Sequence, residues 1–134
     1  MTKKTYKLED FFAKTNCETP KKMFLQIDGK DTEHYLMVIG SDAKSVARAK
    51  IDYGVAIAEL NEELANLDDK VKRAELKTSK EELITNQYAA KHVAGWSFPE
   101  FSSEALENLL SENPALSLAV IAKAYSDDGT TREK

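Results

Sequence analysis

The sequence predicts an α+β fold, mostly α-helical, with one N-terminal β-hairpin, a long helix or helical hairpin, and two shorter C-terminal helices. Three observations carry this expectation. Asp28-Gly29 lies between two runs rich in β-branched and aromatic residues. Apolar residues after Ser41 recur at spacings of three and four for more than three heptads. Ser102 and Asn113-Pro114 each stand immediately before an apolar helical pattern.

Each element follows from local chemistry. "KLEDFFA", residues 7–13, reads as a short helix with Leu8, Phe11 and Phe12 facing one way. "NCETPKK" is a loop, because Pro20 and the residue before it resist helix. In "KMFLQIDGKDTEHYLMVIG" the Asp-Gly pair supplies the positive φ angles of a tight hairpin turn. Ser41 or Asp42 is then placed to cap a helix. Val46, Tyr53, Ile57, Leu60, Leu64, Leu67 and Val71 form its apolar line, a heptad seam with Lys50 as the intruder.

That line changes width. Ile51, Val55 and Ala58 broaden it, which suits burial on a globular core. From Leu60 to Val71 it narrows to a single file flanked by Glu59, Glu62, Glu63, Lys70 and Lys72, which suits a grip on another helix. Ser79 with Glu82 forms a capping box that would start a second helix from about Lys80 to Ala94. Between Gly54 and Gly95 there is no glycine, so the two helices either fold back or continue as one rod on the order of 80 Å long.

Gly95 reads as a left-handed helix cap. Ser102 reads as an N-cap with a Phe101–Leu106 staple, and Asn113-Pro114 as the start of the last helix. The bend between, "GWSFPEFS", gathers Trp96, Phe98 and Phe101 into an aromatic corner whose expected role is burial.

At 134 residues the chain predicts a single domain, residues 1–126, with a flexible polar tail over 127–134. The apolar content of 42% excludes a disordered chain, and no apolar run approaches the ~20 residues of a membrane span. The N-terminus "MTKKTYKLEDFF" lacks an apolar signal core, so the chain is expected to stay in the compartment where it is made. The lone Cys17 allows no internal disulfide, which fits a cytoplasmic setting. Charge is polarised: residues 1–24 carry six lysines against three acids, and residues 97–134 carry seven acids against three bases. Opposed ends suit head-to-tail self-association or solvated tails.

No chemistry-bearing motif stands out. His34 and His92 have no metal-ligand spacing around them, and no phosphate-cradling or nucleophile-elbow motif occurs. The carboxylates fall in helix-face pairs. No catalytic, cofactor or metal residue is therefore nominated, and a non-enzymatic, partner-binding protein is expected. The C-terminal helix pair could pass for a helix-turn-helix, but the region is net acidic, with Lys123 as the single basic residue of its second helix. Nucleic-acid binding is set aside on that ground.

The order "KLEDFFAK", "MFLQIDGKDTEHYLMVIGSDAKSV", "VAGWSFPEFSSEALENLLSENPAL" resembles the tail assembly chaperones of long-tailed, non-contractile phages. The most specific part is the "GW…F…FS.EAL..LL..NP.L" pattern over residues 95–116. The resemblance implies a phage or prophage protein of the host bacterial cytoplasm, absent from the finished virion. Such a protein would bind the tape measure protein and keep it soluble. It would also promote assembly with the tail tube protein, through a longer form made by ribosomal frameshifting. The apolar line Ile57, Leu60, Leu64, Leu67 and Val71 is the expected surface for the partner, for self-association, or for both. The alternatives are a head–tail connector or tail completion protein retained in the particle and, behind it, a helix-turn-helix regulator.

Overall fold

Asp28 and Gly29 both take left-handed backbone angles, φ 53° and 75°, as a two-residue hairpin turn requires. They join β1 (Lys21–Ile27) to β2 (Lys30–Val38) in a computed structural model that describes residues 5–126. The polar tail expected over residues 127–134 lies outside the described residues. The strands are antiparallel, with Ile27 opposite Lys30, Phe24 opposite Tyr35 and Lys21 opposite Val38. Between Phe24–Tyr35 and Gln26–Asp31 the register slips. There the Thr32 hydroxyl donates to the Leu25 carbonyl at 2.7 Å, standing in for a ladder bond.

A third strand completes the sheet. β3 (Val93–Trp96) pairs antiparallel with β2, giving the order β1-β2-β3. The sequence pattern extends the preceding helix to Ala94 and ends it at Gly95, and the structure corrects this. The helix stops at Lys91, the His92 carbonyl accepts from the Ile39 N–H at 2.8 Å, and Gly95 lies opposite Met37. Gly95 is not left-handed, so it is a strand residue and not a cap.

The helical hairpin is real, with its hinge in a different place. α2 (Ala47–Ala65) and α3 (Lys70–Lys91) are joined by residues 66–69. α3 runs straight through "KTSKEEL". Its N-cap is Asp69, whose Oδ1 accepts from Val71 N and Lys72 N at 2.9 and 3.2 Å. The expected Ser79 cap is not used; that hydroxyl donates to the Leu76 carbonyl within the helix. Ser41 and Asp42 do not cap α2 either. Ser41 is buried with its N–H on the Ala124 carbonyl, Asp42 faces Lys50, and a 3₁₀ turn over Lys44–Val46 leads into the helix.

α4 (Ser103–Glu112) starts at Ser102, whose hydroxyl accepts from Ala105 N at 3.1 Å, as its sequence suggests. α5 (Pro114–Ser126) follows immediately. The Asn113 side chain closes α4 by donating to the Leu109 carbonyl, while its backbone carbonyl accepts from Leu116. Near the N-terminus, a 3₁₀ turn over Leu8–Phe11 and α1 (Ala13–Asn16) replace the single short helix, and Leu8, Phe11 and Phe12 are exposed.

The main core lies between the sheet and the helices: Leu36 and Val38 of β2, Val93, Ala89 of α3, Leu106 and Leu110 of α4, and Val120 and Ala124 of α5. Alternation along β2 puts Leu36 and Val38 on one face, which is why this strand anchors the core. A small satellite cluster of Cys17, Ala43 and Val46 sits beside it.

Candidate functional site

The apolar line expected to meet a partner is largely used within the protomer. Leu60 and Leu64 are buried, 3% and 9% exposed, between α2 and α3, and Ile57 and Leu67 are half-buried. Tyr53, higher on the same line, stacks on Tyr88 of α3. Only Val71, at 66% exposure, is open to solvent. The narrow half is not one continuous seam, because the chain turns back at residues 66–69. Leu60 and Leu64 of α2 face the protomer's own α3, Leu67 lies in the hinge, and Val71 stands on α3 itself. The broad half behaves opposite to expectation: Ile51, Val55 and Ala58 point away from α3 into solvent. Periodicity locates an apolar face. It does not say which of two opposite faces the hairpin closes.

The aromatic corner forms as a connected set. Trp96 meets Phe98 and Phe101 edge to face, at centroid distances of 5.5 and 5.2 Å. Phe98 stacks on His34, 4.1 Å away and 14° from parallel. Burial is incomplete: Trp96 and Phe98 are half-buried and Phe101 is exposed. The Trp96 Nε1–H is nonetheless buried without a hydrogen-bond partner. Ser97 orders the neighbouring ring. Its hydroxyl accepts from Tyr35 N and meets His34 Nδ1, both at 2.9 Å.

This corner opens onto an apolar groove of about 940 Å³. One wall is β1, an edge strand, through Met23, Leu25 and Ile27. The other is Phe98 with Leu109, Pro114 and Leu116 at the α4–α5 corner. Gln26, Glu112 and Asn113 supply polar groups along it. Sequence reasoning did not single out Met23, Leu25 or Leu116 for this role. The available signal was the strand alternation that puts Met23 and Leu25 on one face, together with the apolar residue two places after Pro114.

His92 is an enclosed titratable group in the main body of the fold. It is fully buried, its Nδ1 is 2.9 Å from the Tyr88 carbonyl, and its Nε2 has no partner. Burial holds its pKa below the ordinary histidine range, and the Lys50 charge adds to that against the opposing Tyr88 hydrogen bond. Among the described residues no cluster of three or more His, Cys, Asp or Glu could hold a metal ion, and no helix is long and apolar enough to cross a membrane. What the arrangement offers chemically is apolar contact surface with polar margins. Comparison with protein-family models, with curated proteins and with solved structures returns no match.

Proposed function

We propose that this chain is a tail assembly chaperone of a long-tailed phage. In this reading it binds the tape measure protein in the host bacterial cytoplasm, keeps it soluble, delivers it to the assembling tail tube protein and is left out of the virion. It performs no chemistry of its own. One observation carries the reading: the stretch that bears the resemblance, residues 95–116, supplies a wall of the apolar groove through Phe98, Leu109, Pro114 and Leu116. A long apolar helix needs such a trough to cover its greasy face, and polar groups along the margins keep the complex soluble. The groove takes over the role expected of Leu60 and Leu64, which the hairpin encloses.

The test is co-expression with the tape measure protein, taken as the very long helical product encoded beside this gene. Ile27 lines the groove yet is highly exposed, so Ile27→Glu alters the trough without touching the core. The wild-type chain should keep the tape measure protein in the soluble fraction, and Ile27→Glu should lose most of that effect. Equal solubility with both chains refutes the groove assignment. Finding the protein by mass spectrometry in purified virions refutes the chaperone reading in favour of a connector.

A further inference from the structure

We propose that the outer face of α2 is the surface through which two copies of this chain associate, pairing antiparallel about a two-fold axis. Ile51, Val55 and Ala58 recur at i, i+4 and i+7 on the side of α2 opposite Leu60 and Leu64, so they form one stripe. Ile51 is 60% and Val55 51% exposed, although both would gain from burial. Gly54 borders the stripe. Glycine inside a helix is less favourable than alanine, and nothing in the protomer lies within 4 Å of where its Cβ would stand. The fold of the single chain therefore does not require this glycine. A second helix backbone approaching closely would.

Charge selects the partner and the direction. Arg48 lies three residues before Ile51 on the same face, and Glu62 lies four residues after Ala58. A parallel pair would set Arg48 against Arg48 and Glu62 against Glu62. An antiparallel pair sets Ile51 against Ala58 of the second copy and Val55 against Gly54, with Arg48 reaching Glu62 at both ends. The stripe is thus complementary to itself in one orientation. Arg48 already holds Asp52 through Nε at 3.0 Å, and its remaining guanidinium N–H groups have no partner among the described residues. A single helix pair buries less than the roughly 1,200–2,000 Å² of a stable interface, so the dimer is weak and reversible.

The inference is independent of the chaperone reading, because its assay contains this chain alone. Sedimentation equilibrium of the full chain from micromolar to millimolar concentration should show a reversible monomer–dimer equilibrium. Val55→Glu should weaken it by about tenfold or more. Arg48→Glu should weaken it, and Arg48→Glu combined with Glu62→Arg should restore it. Gly54→Ala should raise the thermal midpoint of the monomer while weakening the dimer. All four positions are exposed, so circular dichroism should report an unchanged fold. A wild-type chain that stays monomeric throughout overturns the proposal. So does a dimer that Val55→Glu leaves intact, or a double charge reversal that fails to restore association.

Discussion

Tyr53 of α2 and Tyr88 of α3 stack with ring centroids 4.4 Å apart, and the Tyr88 hydroxyl meets that of Tyr125 on α5 at 2.6 Å. Three helices are therefore tied through one side chain. Burial, and then the Tyr125 hydrogen bond, raise the Tyr88 pKa well above the ordinary phenol range, so it stays neutral and available for that bond. A double-mutant cycle of Tyr53→Leu and Tyr88→Leu, followed by urea unfolding, should give a coupling of about 0.5–1.5 kcal/mol. Strict additivity would mean that the stack contributes nothing beyond area.

The apolar line that runs from α2 through the hinge into the start of α3 should divide into structural and non-structural members. Leu60→Ala leaves a cavity between two helices and should cost about 2–5 kcal/mol. Val71→Ala, at an exposed position, should stay within about 0.5 kcal/mol. Leu64→Glu should weaken the hairpin by less than a charge in an apolar site would, since it loses a buried apolar contact while Lys70, Arg73 and Lys77 line the same pocket and can meet the carboxylate. Denaturant midpoints decide the matter: equal costs at Leu60 and Val71 would mean that the line does not hold α2 to α3.

These contrasts show what the sequence could and could not disclose. The Asp28-Gly29 turn and the Ser102 cap were legible because their physics is local: a positive φ and an orphan N–H are each met by residues at hand. β3 was not, because four residues are too few for a periodic signal and its strand character comes from pairing with distant β2. Val93 fits a helical spacing equally well. The hinge was misplaced because Ser79 offers the same capping chemistry as Asp69, and only the packing of Leu60 and Leu64 against α3 fixes where the chain must turn back. The groove joins Met23 and Leu25 to Leu116, near opposite ends of the chain, so no local pattern announces it.

His92 gives the fold an acid-sensitive point. Its pKa is lowered in the folded state, so the unfolded chain binds the proton first as pH falls. Its contribution is fully present above the unfolded value of about 6.5 and is lost as pH falls from there toward the depressed folded value. The thermal midpoint should therefore drop between neutral pH and pH 5. His92→Phe keeps a ring edge-on to Tyr88, as His92 has at 4.7 Å, and removes the unpartnered Nε2. That variant should flatten the slope. An unchanged slope would place the acid sensitivity elsewhere.

Glu100 holds φ 53° in the bend that carries Phe101 to Trp96. A side chain in that left-handed region costs about 1–2 kcal/mol, and glycine avoids the clash while adding about 0.5–1 kcal/mol of unfolded-state entropy. Glu100→Gly should thus stabilise the protein by up to about 1 kcal/mol. Glu100→Ala keeps a Cβ and should gain nothing, whereas Glu100→Val, branched at that carbon, should destabilise. The Trp96 fluorescence of all three folded variants should match that of the parent chain, because the backbone path to Phe101 is unaltered. A loss of stability in Glu100→Gly would mean that the Glu100 side chain, and not the backbone angle, holds the bend.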